Sequence, residues 1–367
     1  MVYKSLAIPA AEGGTVTTSS GYRIHTFTLS GTFTANKSMN VEVLVVAGGG
    51  SGGRSYRFDY AGGGGGGAGG LVYNSAFAVT PQSYTVTVGA GGATQTTADS
   101  RGFNGSNSSF STITTIGGGG GGETPANQIG GNGGSGGGSA FNTSTPGLGT
   151  PGQGNNGGIV TGGINDGGAG GGGAGAVGGD VTNELYGGNG GAGLSFNISG
   201  STSWYAGGGG GGNYYTGSGG TGGIGGGGAG GTSGSSGIAG TANTGGGGGG
   251  CGTFGTLGNG GAGGSGIVII RYLLSEDLTP ANITATGMTI TPNEIPCRVG
   301  ICIITASVTW TNNGGSTGSF VPSITVDSGT VTPVYSSELL AANIEVTHTF
   351  TVSGMAAGTR SICPNPN

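Results

Sequence analysis

Runs such as AGGGGGGAGG, at residues 61–70, leave the chain with almost nothing to bury. They also lack the side chains that hold an ordinary helix or strand, and glycine loses more backbone freedom on ordering than any other residue. A fold that includes them must place its order in the backbone itself. The chain carries 100 glycines in 367 residues, and 92 of them precede Leu274, against ~7% glycine in ordinary globular proteins. That break in composition predicts a domain boundary between residues 273 and 280, with a glycine-rich domain over 1–273 and a second domain over 279–367.

Between the glycine blocks stand period-2 patterns of β-branched and aromatic residues: YRIHTFTLSGTFTA from Tyr22, VEVLVVA from Val41, SYTVTVGA from Ser83, SSFSTITTI from Ser108 and GIVIIRY from Gly266. Such alternation predicts strands. In the first, Phe27 and Leu29 alternate with threonine, run into Ser30–Gly31 and are followed by Phe33, which predicts a hairpin there. VLVVA and IVIIRY are continuous apolar runs, as expected of central strands covered on both faces.

The inserts run over roughly 48–70, 117–193 and 207–266. Flexible linkers are usually glycine-rich, but a linker has no need to return repeatedly to one small domain. A collagen helix needs a strict G-X-Y period with abundant proline, and 12 prolines without that period exclude it. The remaining expectation is a bundle of polyglycine-II helices, in which chains without Cβ atoms approach closely and satisfy one another's N–H and C=O groups. The predicted class is thus all-β: a β-sandwich with an inserted polyglycine-II bundle. The second domain shows short alternating strands, Trp310 in SVTWTN and a turn at NNGG, which predict a C-terminal immunoglobulin-like sandwich.

YRIHTFTLSGTFTANKSMNVEVLVVAGGGSGG, closed by GNGGAGGSGIVIIRY, resembles the glycine-rich domain of phage tail fibres and receptor-binding adhesins over about residues 13–273. The resemblance implies a rigid scaffold whose exposed loops bind a receptor on the host envelope, a glycan or a protein. It also implies other virion or fibre subunits as partners, a homo-oligomer among them. From Thr279 to Asn367, VTWTNNGGSTGSF and FTVSGMAAGTRSICPNPN are similar to CARDB-type adhesion modules, a likeness that implies no catalytic residues.

Chemistry is sparse. GxGxxG near-matches arise by chance in polyglycine, and none leads from a strand into an amphipathic helix, so no nucleotide or other cofactor is expected. His25 and His348 sit singly inside alternating strands, as surface or cross-strand residues, and make no metal site. Asp59, Asp99, Glu123, Asp166 and Asp180 are dispersed over separate loops, and the protein is expected to be non-enzymatic. Nine scattered basic residues and a formal net charge of −5 argue against nucleic acid. No stretch approaches the ~20 apolar residues of a membrane span, and the first residues lack a signal peptide's apolar core. With a native N-terminus at Met1, these features fit a virion component released by lysis and a location on the virion surface or outside the cell. A secreted microbial adhesion or filament-forming protein is the alternative.

Four cysteines fit an oxidising compartment. Cys297, Cys302 and Cys363 belong to the second domain, where Cys363 paired with either of the others would join the last strand to an early one. Cys251 is read as free, with pairing to the odd cysteine or to another subunit left open. The candidate receptor-binding residues are the large side chains that interrupt glycine runs: Arg54, Tyr56, Arg57, Phe58 and Tyr60, with Asp59 among them, and Trp204, Tyr205, Tyr214 and Tyr215. Aromatics beside arginine suit binding hot spots, while for any one of them packing over the bundle is the plainer role.

Overall fold

The computed structural model describes residues 9–55, 61–97, 101–123, 128–161, 167–182 and 186–274, and within the later chain the strands from Ile283 to Pro366. The chain divides into two compact units, residues 11–274 and a second that takes in the chain from 275 onward. The described residues are all-β, with several antiparallel sheets.

In the first unit, β1 (Ala11–Glu12), β4 (Gly31–Ala35), β7 (Gln82–Thr87), β8 (Ser108–Phe110) and β9 (Ile113–Thr115) form one antiparallel sheet in that order. A second has the order β2 (Thr15–Ser19), β3 (Tyr22–Phe27), β14 (Ile267–Leu273), β5 (Met39–Val46) and β6 (Leu71–Val79). The short pairs β10 (Leu194–Phe196) with β11 (Ser203–Tyr205) and β12 (Thr253–Phe254) with β13 (Thr256–Leu257) lie in the inserts.

The hairpin lies one strand earlier than the alternation predicts. Ser19 faces Tyr22 across Ser20 and Gly21, whose φ angles of 50° and 82° meet the demand of a two-residue hairpin turn. Residues 28–30 instead carry the chain from one sheet to the other. Leu29, in phase with Phe27, is 79% exposed, so the apolar period ends where the chain changes sheet.

β14 is central and buried on both faces, as its continuous apolar run predicts. On one face His25, Tyr272, Phe33, Tyr84 and Phe110 form an aromatic layer between the sheets. His25 is therefore no surface residue. It is fully buried, 2.8 Å from the Gly13 carbonyl oxygen through Nδ1, edge-on to Phe33 and stacked on Tyr272. One strand's period says which residues share a face, and the second sheet decides which face is covered.

On the other face Ile24, Leu44, Val46, Ile267 and Ile269 pack with Ile198 and Tyr205 from an insert and with Ala68 and Ala206 from the glycine runs. At the edge of this face Arg271 pairs with Glu42 at 2.8 Å, lies 4.3 Å from the centre of the Tyr22 ring and donates to the Asn197 carbonyl.

β5 runs straight into residues 47–55, and residues 61–70 run straight back into β6. The returning segment shows how the backbone is satisfied. Gly63, Gly66 and Gly69 donate to Cys251, Gly248 and Gly245; Gly64, Gly67 and Gly70 donate to Gly122, Gly119 and Ile116; Gly65 and Ala68 donate to Ala169 and Gly172. Every third amide returns to the same neighbour, at 2.8–3.0 Å. The carbonyls follow the same period: Gly63 and Gly66 accept from Gly212 and Gly209, Gly64, Gly67 and Gly70 from Gly53, Gly50 and Ala47, and Gly65 and Ala68 from Gly138 and Ser135. This rod thus has six neighbours, three through its N–H groups and three through its carbonyls.

A Cβ at Gly66 would stand 2.2 Å from the Gly50 carbonyl oxygen. Among the described glycines of this unit, only Gly21, Gly152 and Gly255 have open space there, and each has positive φ. Outer rods are different. In SGGTGGIG, Ser218, Thr221 and Ile224 are exposed while Gly220 and Gly223 are buried. Where a rod has no neighbouring carbonyl to meet an amide, side chains take its place: Asn104, Asn132, Asn156 and Asn189 accept through Oδ1 from Gly120, Leu148, Gly149 and Thr221.

In the second unit, β15 (Ile283–Pro292), β16 (Ile301–Asn312), β21 (Glu345–Ala356) and β19 (Thr330–Thr332) form a four-stranded sheet in that order. β17 (Gly318–Phe320) pairs with β20 (Glu338–Leu340), and β18 (Pro322–Val326) with β22 (Ile362–Pro366). Cys302 on β16 is opposite Met355 and Cys363 on β22 is opposite Thr325, in separate ladders; Cys297 lies outside the described residues. His348 is opposite Val308, a cross-strand position as expected.

Candidate binding surface at the rod tips

The rods define a base, where they meet the strands, and a far end, where they turn. Gly53 donates to Gly64, so residues 47–55 and 61–70 run antiparallel, with Ser55 and Ala61 at the far end. Residues 207–213 climb from the base at Ala206, with Gly209 donating to Gly66 and Gly212 to Gly63. Tyr214 therefore reaches the far end.

There Thr253 ties several segments together. Its Oγ1 donates to the Ala61 carbonyl at 2.9 Å, its N–H to Asn213 at 3.0 Å, and its carbonyl accepts from the Tyr215 amide. Beside it the buried Cys251 Sγ accepts the Ser55 amide at 3.0 Å. Cys251 is a free thiol, and burial pushes its pKa up, which leaves it a packing residue.

The aromatic rings gather above this junction. Phe254 stands perpendicular to Tyr215 at 4.6 Å between centroids and perpendicular to Tyr214 at 6.3 Å. Tyr215 is 46% exposed and Phe254 44% exposed. Tyr215 is held at φ 66°, and the Ser233 hydroxyl donates to its carbonyl, so its direction is fixed by the backbone. Phe254 sits beside Gly255, whose φ of 67° closes the tight β12–β13 turn. Arg54 ends its rod at the same end and donates to the Thr96 carbonyl. That loop is organised by the fully buried Gln95, which donates to the Arg101 carbonyl and accepts from the Thr97 amide.

Of the candidate residues, Tyr214 and Tyr215 come together at the tips, and Arg54 ends its rod at the same end, against Thr96. Tyr56, Arg57, Phe58, Asp59 and Tyr60 lie outside the described residues. Trp204 and Tyr205 belong to the base, nine or ten residues before Tyr214, about 30 Å away at ~3.1 Å per residue. Trp204 is 42% exposed opposite Ser195, whereas Tyr205 is buried in the sheet's core and has a packing role. Tyr205 is selected out of the candidate set for that reason. Phe254, missed in the sequence, obeys the same rule as its neighbours, a large side chain interrupting a glycine run.

Residues 186–270, which supply the three rings, contain no charged side chain, and Arg54 brings a positive charge to the same end. Among the described residues, no three His, Cys, Asp or Glu side chains are grouped as metal ligands would be.

No curated protein matches the chain. A family model described as a glycine-rich domain matches residues 27–273. That span begins in β3, ends with β14 and takes in every rod described above, so the chain belongs to this glycine-rich domain family.

Proposed function

We propose that the protein is a non-enzymatic surface-fibre adhesin of a virion, which binds a host-envelope receptor through the rod tips. In this reading the rods are polyglycine-II helices, and the strands after residue 283 form an immunoglobulin-like module of CARDB type that serves as spacer or assembly unit. The three-residue hydrogen-bond period supports the helix assignment.

The observation that carries the binding role is the corner of Tyr214, Tyr215 and Phe254. Large rings are absent from the rod interiors, and here they stand together, half exposed and backbone-fixed, at the end farthest from the sandwich. Side chains held by a rigid lattice have little freedom left to lose on binding, which favours affinity. The aromatic faces and the Ser, Thr and Asn around them suit a sugar face and its hydroxyls.

The test is the double substitution Tyr215→Ser with Phe254→Ser, assayed for adsorption to host cells and to purified envelope glycans. Adsorption is expected to fall at least about tenfold, since a hot-spot aromatic contributes ~2 kcal/mol or more, with the circular dichroism and melting temperature kept. Unchanged adsorption by a folded variant would overturn the binding role.

A further inference from the structure

Five Asn–Gly pairs lie in the described glycine lattice: Asn104–Gly105, Asn132–Gly133, Asn156–Gly157, Asn189–Gly190 and Asn259–Gly260; a sixth, Asn313–Gly314, lies outside the described residues. Asn–Gly is the most fragile of peptide sequences, because a glycine amide has no Cβ to shield it from the preceding side chain and asparagine is itself thermolabile. The reaction needs two freedoms. The asparagine carboxamide must swing back along the chain, and the glycine N–H must be released to attack it.

The lattice removes both at four of the pairs. Asn104, Asn132, Asn156 and Asn189 each hold an amide through Oδ1 at 2.8–2.9 Å, and Asn189 also accepts the Thr221 hydroxyl. The glycines that follow donate to Gly118, Leu148, Gly147 and Thr221 at 2.9–3.0 Å. Asn259 is the exception. Among the described residues its side chain has no hydrogen bond, it is half-buried on an outer rod, and the Gly260 amide reaches Gln95 only at 3.3 Å.

We propose that Asn259–Gly260 is the site of spontaneous succinimide formation in the folded protein, and that the Oδ1 caps protect the other four pairs. The Gly260 nitrogen attacks the Asn259 Cγ and forms the N–Cγ bond of a five-membered imide. The Cγ–Nδ2 bond breaks, and Nδ2 leaves as ammonia with the proton lost by the attacking amide. Water then opens the ring at either carbonyl, giving aspartate or isoaspartate. The aspartate adds a negative charge to a neutral rod. Isoaspartate also inserts a methylene into the main chain, which displaces residues 260–265 from the register in which Gly261 and Gly264 accept from Gly52 and Gly49. Asn259 is thereby the point at which ageing of the fibre would begin.

The test is to incubate the full-length folded protein in mildly alkaline buffer, with a parallel sample in denaturant, and follow all five asparagines by peptide mapping that separates aspartate from isoaspartate. In the folded sample Asn259 is expected to convert at least about fivefold faster than any capped asparagine, the factor set by one hydrogen bond that must open first. In denaturant the five rates should converge. Equal rates in the folded protein, a capped asparagine converting before Asn259, or a silent Asn259 while the denatured chain converts would each overturn the proposal. Asn259→Gln should remove the leading conversion and keep the fold.

Discussion

Tyr73 shows how one residue at the edge of the sheet answers to its surroundings. Its hydroxyl donates to Glu42 at 2.5 Å, and Glu42 in turn holds Arg271. Partial burial, and after it the hydrogen bond to Glu42, push its pKa from 10.0 to about 12. The folded form therefore holds this proton more tightly than the unfolded chain. Its stabilisation is complete below pH 10 and is lost as pH rises through about 12. Ultraviolet titration should show a late step after the exposed tyrosines, and Tyr73→Phe should take one tyrosine out of that step. Because Tyr73 is 39% exposed, solvent screens much of the interaction and the accompanying loss of stability should be small. Ionisation of every accessible tyrosine in one step near pH 10 would contradict this account.

At the scale of the element, the rod explains why glycine is required at some positions and not at others. Gly172 donates to Gly136 and accepts from Ala68, and a Cβ there would stand 2.2 Å from the Asn155 carbonyl oxygen. On one outer rod, Gly220 faces the Gly188 carbonyl at 2.0 Å from its would-be Cβ, while Ser218 faces solvent. Gly172→Val and Gly220→Val should each cost about 1–3 kcal/mol, the range of overpacking, whereas Ser218→Val should stay within about 0.5 kcal/mol. Denaturant melts of the three variants check this, and equal midpoints would reduce the rods to linkers. Gly226, which sits like Gly172 within a glycine run in the sequence, is a turn residue with φ 94°, so its substitution would be strained by backbone geometry.

The strands β3, β4, β5, β7, β8, β9 and β14 were legible because alternation and apolar runs are written in side chains, and so was the base-to-rod junction at Val46; β2 and β6, few of whose residues are buried, carried no such pattern and were not read. The three-residue period of SGGTGGIG stands in the sequence but was not read there, and the burial of Gly220 and Gly223 between exposed Ser218, Thr221 and Ile224 brings it out. Which rod lies beside which was not legible. Those contacts join backbone to backbone, and a glycine amide carries no mark of its partner. The same limit hid the role of Asn189, whose capping contact depends on a rod thirty residues away, and the burial of Tyr205, which depends on a sheet assembled from both ends of the unit.

Across the first unit, order is continuous from sheet to tip, because Ala68, Ala206 and Tyr205 join the rods to the same apolar core as Leu44 and Ile269. No single rod could offset the entropy of ordering its glycines. In the rod with six neighbours the amides of Gly63 to Gly70 are all answered, and its loss would leave buried donors and acceptors in all six. Opening one rod should therefore require opening the bundle. The expected outcome in amide hydrogen exchange is that Gly63 to Gly70, with no strand or helix of their own, exchange as slowly as the central strands β5 and β14, through global unfolding. Outer-rod amides such as those of Gly219 and Gly222 should exchange far sooner. Fast exchange throughout residues 61–70 beside protected strands would show that the rods fluctuate independently, and with that the rigid support assigned to the Tyr215–Phe254 corner would be lost.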